Sequence, residues 1–255
     1  MPKRLPAPDG HNHLISTMTP DDRALIEPHL TPVTLELAVD LEVRNQPIEN
    51  VLFPVSGVVS VVAVSLVKER RIEAGLFGHD GMTGHSILLG NSIAPNDVSV
   101  QMPGHGLQIG TEQLREVLGG SASLHQHLLK FIQTAMTQTA QTALSNKHNS
   151  LEERLARWLL MCHDRVPGDR LNLTHEFMSI MLGTRRAGVT VATQILEGKG
   201  VIRARRGEIT ILDRDGLEEE AGGSYGVPEN EYTRLFGGRP VKAQGNGATI
   251  SSRAP

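Results

Sequence analysis

The spacing of apolar positions changes character twice along the 255-residue chain and marks out three regions. A short helix is expected near Pro20 to His29. From Leu30 to about Ile109, apolar residues run in short β-branched segments bounded by Gly, Pro, Asn and Asp: VTLELAV, VLFPVSGVVSVVAVSLV, RRIEAGLF, VSVQM and GLQI. Such runs predict strands, and many short strands with frequent turns predict a β-barrel or jelly roll. From Thr111 the period becomes helical. TEQLREVL reads as a helix with Thr111 as its N-cap. SASLHQHLLKFIQTAMTQTAQTALSNKHN then continues without Pro or Gly, which predicts one long helix. His125, Leu128, Ile132, Ala135, Thr139, Thr142 and Asn146 alternate at intervals of three and four, the spacing of a seam between paired helices. Two readings stay open for that helix: it lies on its own barrel, or it forms a dimer contact whose polar half reaches into the strand-rich domain.

The third region begins with SLEERLARWLLMCHD, which sets Leu151, Leu155, Trp158, Leu159 and Cys162 at amphipathic-helix spacing. A turn at VPGD and a short strand LNL follow. THEFMSIMLG and GTRRAGVTVATQILEGKGVI supply two more helices, and VIRARRGEITILD folds as two arms around Arg206-Gly207. Helix, helix, turn, helix, hairpin is the order of a winged helix-turn-helix, and the expected class is α+β. The expected divisions are a flexible amino terminus over 1–13, a sensory β-barrel over 14–120, a dimerisation helix over 121–150, a DNA-binding unit over 151–220, and a carboxy-terminal extension over 221–255. That extension should be largely flexible after 237, where Gly, Pro, Ser and Ala dominate.

Within the helix pair, Thr174 is placed to cap the first helix, and Phe177, Ile180 and Met181 mark its inner side. Gly183 suits a tight turn, and the second helix should begin near Thr184. Val189, Ala192 and Leu196 form its core stripe, so Arg186, Ala187, Thr190, Val191 and Gln194 project from the other face. Small residues let a helix approach a major groove, and an arginine near its start can make two hydrogen bonds to one guanine. Charge agrees: Leu171 to Leu212 carries six Lys/Arg against three Asp/Glu, whereas Met1 to Ser150 carries ten against fourteen. Arg185 is read as part of this face. Arg203, Arg205 and Arg206 are read as phosphate contacts from the hairpin, the alternative being an exposed hairpin kept soluble by charge.

Composition narrows the picture. The formal net charge of −3 rules out a uniformly basic coat for nucleic acid or membrane, so any basic site is local. The single cysteine, Cys162, excludes a disulfide framework, a cysteine-based zinc site and an all-cysteine iron–sulfur cluster within one chain. No stretch reaches the roughly 18 apolar residues of a membrane span, and MPKRLPAPDGHNH has no signal-peptide core. A cytoplasmic protein without membrane partners is expected.

SLEERLARWLLMCHDRV, LTHEFMSIMLGTRRAGVTVATQILEGKGVI and RARRGEITILD, in this order and spacing, resemble the Crp/Fnr superfamily of bacterial transcription regulators. The likeness continues upstream through PIENVLFPVSGVVSVVAV and GLFGHDGMTGHSILLG and covers roughly residues 14 to 236. It implies a cyclic-nucleotide-binding-like barrel, a dimerisation helix and a winged helix that binds two-fold-related DNA as a homodimer, with RNA polymerase a candidate partner. By position, Arg186 matches the family arginine that reads guanine, and Arg185 and Gln194 match positions near phosphates or base edges. Ala187 stands where the best-known members have glutamate, and Val191 where they have arginine, so a different operator sequence is expected.

In nucleotide-binding members a Gly-Glu pair holds the ribose and a later arginine holds the cyclic phosphate. The counterparts here are Gly84-His85 and Pro95-Asn96-Asp97, and Thr139 resembles the dimer-helix threonine that touches the nucleotide. Asp97 would repel a phosphate, so the effector is expected not to be cyclic AMP and its identity is unknown, the alternative being a cyclic-nucleotide-responsive regulator with an altered pocket. Gly75, Gly78, Gly81 and Gly84, three apart, suit either tight turns or an anion-cradling loop. No cofactor is expected. His79, His85, His105, His125 and His127 leave haem open as an alternative, and a cupin-like metal enzyme is the competing class. Neither HExxH, GxSxG nor a Cys/His nucleophile pattern occurs, so a non-enzyme is expected.

Overall fold

A computed structural model describes residues 10–66 and 70–237. Two short helices, α1 (His13–Ser16) and α2 (Pro20–Ile26), and a 3-10 turn precede seven strands. These are β1 (Thr31–Leu35), β2 (Asp40–Glu42), β3 (Asn50–Pro54), β4 (Val58–Val64), β5 (Arg71–Phe77), β6 (Asp97–Met102) and β7 (Gly104–Gly110), with the one-turn helix α3 (His85–Leu88) before β6. They form two antiparallel sheets, ordered β1-β7-β3 and β2-β6-β4-β5, that share a core containing Val51, Phe53 and Ile109 from one sheet and Val59, Val98 and Val100 from the other. The sheets do not close on each other, so the barrel alternative gives way to the jelly-roll-like one. Two runs expected to be continuous are broken for the same purpose. The long run from Val51 crosses between sheets through Val55 to Gly57, and the tail of VTLELAV turns at Ala38, which has φ of 64°. The end of that run at Val67, and the extension after 237, lie outside the described residues, as do residues 1–9. Asn12, expected in the loose amino terminus, is buried and donates to Pro54 O and Gly81 O at 2.8 and 2.9 Å.

Helix α4 (Thr111–Gly120) leads to the long helix α5 (Ala122–His148). Thr111 is not the cap of α4: Gly110 occupies that position, and the Thr111 hydroxyl donates to Ile48 O at 2.6 Å. Ser121 caps α5 by accepting from Leu124 N–H at 3.1 Å. Leu124, Leu128, Phe131, Thr134, Gln138 and Ser145 of α5 are buried against the chain's own domains. Leu128, placed in the expected dimer seam, therefore faces inward. The exposed apolar positions are Met136, Ala140 and Ala143, each one residue and so roughly 100° round the helix from the expected seam, and Met136 is 68% exposed, whereas Leu129 is half-buried against the core.

The carboxy-terminal unit runs α6 (Leu151–His163), β8 (Arg170–Leu171), α7 (His175–Met181), α8 (Arg186–Gly198), β9 (Ile202–Arg205), β10 (Glu208–Ile211) and α9 (Arg214–Glu220). Strands β8, β10 and β9 form a small antiparallel sheet in that order. A last helix, α10 (Val227–Phe236), folds back onto α5, where Tyr232 and Phe236 enter the core of the amino-terminal domain. Ser150 and Glu153 start α6 with a reciprocal capping box. From Leu155 to His163 every residue of α6 is buried, because this helix lies between the winged helix and the four-stranded sheet.

A bulge makes that junction. Val61 pairs with Gly75 and Val62 with Glu73, so Ala74 is an extra residue in β5. The bulge reverses the alternation: Glu73 and Leu76 meet α6, while Gly75 and Phe77 face α5. Glu73 is buried and accepts from Trp158 Nε1 at 2.8 Å, with Ser60 Oγ at 2.7 Å from its other oxygen. Burial pushes its carboxyl up to about 7, against the pull of Ser60, Trp158, Arg157 and Arg165. Hydrogen-bond donors account for this state. Ser60 has one proton and also contacts Gln101 Oε1, and Gln101 Nε2 donates to Cys162 Sγ at 3.4 Å. With Glu73 protonated, Glu73 donates to Ser60, Ser60 to Gln101 and Gln101 to Cys162, and each group has a partner.

Linkage fixes the sign of the resulting pH effect. Between about 4.5 and 7 the unfolded chain loses the Glu73 proton while the folded chain keeps it, so stability falls as pH rises. Glu73→Gln keeps the amide as a donor to Ser60 and an acceptor from Trp158. The unfolding free energy of wild type minus that of Glu73→Gln, from urea titrations, is expected to fall by about 3 kcal/mol across this window. A pH-independent difference would contradict the assignment.

Candidate nucleic-acid interface and effector cavity

Thr174 caps α7, accepting from Phe177 N–H at 3.1 Å. Met178 and Met181 form its inner side with Leu182, and Phe177 packs half-buried against Trp158. Ile180, expected on the inner side, is 37% exposed, because the helix presents Ser179 inward in its place. Gly183 makes the turn with φ of +59°, and a Cβ there would stand 2.8 Å from Ile72 Cδ1 of β5. The turn is therefore tight in itself and pressed against the sheet. Arg154 of α6 donates to Leu182 O and holds the same turn from behind.

Helix α8 starts at Arg186, with Arg185 in extended conformation as its N-cap, two residues later than Thr184. Val189, Ala192 and Leu196 are fully buried, as their spacing predicts. Arg185, Arg186, Ala187, Val191 and Gln194 are exposed together on the opposite side. Thr190 differs from them: it is half-buried, its hydroxyl donates to Arg186 O at 3.1 Å, and His175 Nδ1 lies 3.0 Å away. The wing carries Arg203, Arg205 and Arg206 exposed, with Gly207 at φ of +75° in its turn. Ala204 N–H donates to Glu197 Oε1 at 2.9 Å and ties β9 to α8, so helix and wing form one unit. Sequence reasoning missed Arg70 and Arg71, which border a depression with Ser179, Ile180, Gly183 and Thr184. Their proximity depends on domain docking, which no local pattern encodes.

The expected effector residues divide. His85, Asn96 and Thr139 line a cavity of about 520 Å³ between β5, α5 and α10. Gly84 and Asp97 do not. Gly84 sits at φ of +74° against Val51, and its N–H is held by Glu42 Oε1 at 2.7 Å. Asp97 turns away, accepting from Arg44 N–H at 3.0 Å and facing Arg71 at 3.5 Å. Gly78 N–H donates to Asp80 Oδ1 and Gly81 N–H to Gly78 O, so the glycine series commits its amides internally and does not cradle an anion. Among the histidines, His85 Nε2 meets Met82 O, His105 Nδ1 meets Ser56 Oγ, His125 Nε2 meets Leu88 O and His127 Nε2 meets Leu14 O, all within 2.9 Å. Among the described residues no three His, Cys, Asp or Glu side chains gather as a metal site. No helix among them is long and apolar enough to cross a membrane.

A family model of the Crp-like helix-turn-helix domain matches residues 153–220, which span α6 to α9 and contain every element of the basic face. Beyond this match, the described residues share the fold of solved Crp/Fnr regulators. A solved regulator of the crp/fnr family from Eubacterium rectale superposes with a TM-score of 0.64 at 20% identity, covering 82% of this chain and 97% of its own. FixK2 from Bradyrhizobium japonicum gives 0.64 at 16% identity, covering 74% and 96%. The c-di-GMP responsive global regulator CLP from Xanthomonas campestris gives 0.61 at 17%, covering 76% and 99%. No curated protein matches the chain in sequence. The Crp-like domain ends at Glu220, whereas the chain continues into α10, a helix that the sequence reading left within an extension. Its signals were present: Pro228 in the first turn, and Tyr232 and Phe236 at i, i+4 spacing.

Gly183→Ala forces a side chain into the left-handed region and against Ile72, and is expected to destabilise the Crp/Fnr-type fold by about 1–3 kcal/mol in denaturant unfolding. Adding Ile72→Ala should return part of that loss. Unchanged stability in Gly183→Ala would contradict the described turn.

Proposed function

We propose that this Crp/Fnr-type chain acts as a homodimeric, sequence-specific DNA-binding transcription regulator. One observation carries the reading: α8 buries Val189, Ala192 and Leu196 and leaves Arg186, Ala187, Val191 and Gln194 as a slim exposed face headed by arginine. Arg186 donates to guanine O6 and N7, Ala187 and Val191 pack on thymine methyls, and Gln194 reads a base edge or phosphate. Arg185, Arg203, Arg205 and Arg206 contact phosphates on either side. Thr190 contributes less to base readout than its position implies, because its hydroxyl is engaged by Arg186 O and His175. Dimerisation uses α5 within residues 121–150, through the exposed positions Met136, Ala140 and Ala143 in place of the Leu128 register. Two-fold pairing then presents two α8 helices to successive major grooves.

The role is regulatory rather than catalytic, cytoplasmic as access to the chromosome requires, and includes RNA polymerase as a partner when the bound dimer activates. The effector pocket is the cavity lined by His85, Asn96 and Thr139. Cyclic AMP is disfavoured there, since Gly84 and Asp97 lie off the lining and Arg165, which is on it, is paired with Asp80.

Selection from random duplexes by the purified protein should enrich a near-palindrome with half-sites about one helical turn apart, bound with affinity that falls steeply as salt rises. Arg186→Ala should lose about 1–3 kcal/mol at one base pair of each half-site and relax preference there. Failure to enrich any palindrome would refute the regulator reading, and equal weakening on all sequences would make Arg186 a phosphate contact.

A further inference from the structure

The cavity between β5, α5 and α10 has a chemistry that narrows its ligand. Its walls are mostly apolar, with Val61, Phe77, Phe131, Ala135 and Met136 among them. The polar side chains bordering it are largely committed elsewhere. Gln138 spans Leu76, accepting from its N–H at 2.7 Å and donating to its carbonyl at 3.0 Å. Arg165 is paired with Asp80 through two bonds, at 3.0 and 2.6 Å. Glu229 accepts from Gly226 N–H at 3.0 Å, and Tyr232 OH meets His13 Nδ1 at 2.8 Å. Among the described residues, the cation on the lining, Arg165, is thus already neutralised. His85 stands between Phe77 and Phe131, with ring centroids at 5.5 and 5.2 Å, and burial holds its pKa down to about 4. It is neutral at physiological pH. Its Nε2–H donates to Met82 O at 2.9 Å, which leaves Nδ1 as an acceptor.

We propose that this cavity binds a neutral, predominantly apolar small molecule carrying one hydrogen-bond donor for His85, and that α10, which forms one wall, transmits its presence to the winged helix. A volume of about 520 Å³ lies in the range of drug-sized ligand sites, whose walls are apolar with few oriented polar groups. An anionic ligand would be desolvated against Asp80 and Glu229 with no free cation to meet it. Pro228, Glu229 and Tyr232 of α10 lie on the lining, and the residues just before α10 grip the DNA-binding unit. Tyr225 OH donates to Asp164 Oδ2 at 2.6 Å and accepts from Arg214 Nη2 at 2.7 Å, and Arg157 Nε donates to Ser224 O at 3.1 Å. A ligand that shifts α10 therefore acts directly on α6 and α9, which support α8. This coupling rests on the DNA-binding reading; the ligand class does not.

The test uses the full chain and a neutral fluorescent probe, N-phenyl-1-naphthylamine, first without DNA. Saturable binding near one probe per chain is expected, at least tenfold weaker in Ala135→Phe with an unchanged melting temperature, and not reversed by cyclic AMP. Benzophenone photolabelling of the wild type supplies a readout independent of any variant, with adducts expected on peptides containing residues 131–143 or 228–232. Absent saturable binding, labelling elsewhere, wild-type affinity in a folded Ala135→Phe, or displacement by micromolar cyclic AMP would each overturn the ligand class. The second arm measures affinity for a selected duplex with and without the probe. A shift of at least threefold supports transmission through α10, and no shift despite bound probe overturns that part. If no duplex is bound at all, the DNA-binding reading fails while the ligand result stands.

Discussion

The buried ion pair between Asp80 and Arg165 is the contact on which the two halves of the molecule depend. Asp80 lies in the loop after β5 and Arg165 just past α6, and their side chains are only 4% and 3% exposed. Arg165 also donates to Met161 O at 2.8 Å, and Asp80 accepts from Gly78 N–H at 2.8 Å, so both charges have further partners. Burial alone would raise the Asp80 carboxyl, but Arg165, His79 and the Gly78 amide outweigh it and hold it below its ordinary value. A buried pair adds little net stability over an apolar contact, yet removing one partner strands a charge at a cost of about 3–5 kcal/mol. Its effect is therefore one of alignment. It admits one docking of α6 on the four-stranded sheet, and the Glu73–Trp158 bond forms in that docking.

From this junction the structure extends in two directions. Toward α8, α6 carries the winged helix: Arg154 holds the carbonyl of Leu182, and Gly188 of α8 approaches Leu151 so closely that a Cβ would lie 3.0 Å from its Cδ2. Toward the cavity, Arg165 stands on the lining, and α10 returns from the winged helix to close the same space. Helix α8 and the cavity are thus joined by side chains that cannot shift singly without leaving a buried polar group unpaired.

Local pattern made the winged helix legible. The Val189, Ala192 and Leu196 stripe, the Thr174 cap and the Gly183 turn are consequences of helical period and backbone sterics, and each stands where the spacing predicts. What failed depended on contacts distant in sequence. Leu128 fits a dimer seam by spacing but is claimed by the chain's own core, and Ile180 is exposed because α7 meets its neighbours through Met178 and Met181. A two-residue-period pattern shows strands but not which sheet each joins, so the crossing at Gly57 and the bulge at Ala74 were hidden. The effector side followed the same rule. Position alone grouped Gly84 and Asp97 with His85, whereas Glu42 and Arg44 draw them away.

The central claim, that Arg186 at the start of α8 reads a guanine in the major groove, is tested most directly by methylation interference on a selected duplex. Methylation at N7 of one guanine in each half-site should block the wild-type protein and leave residual binding by Arg186→Ala unaffected. Interference identical in the two proteins, or absent from every guanine, would contradict it.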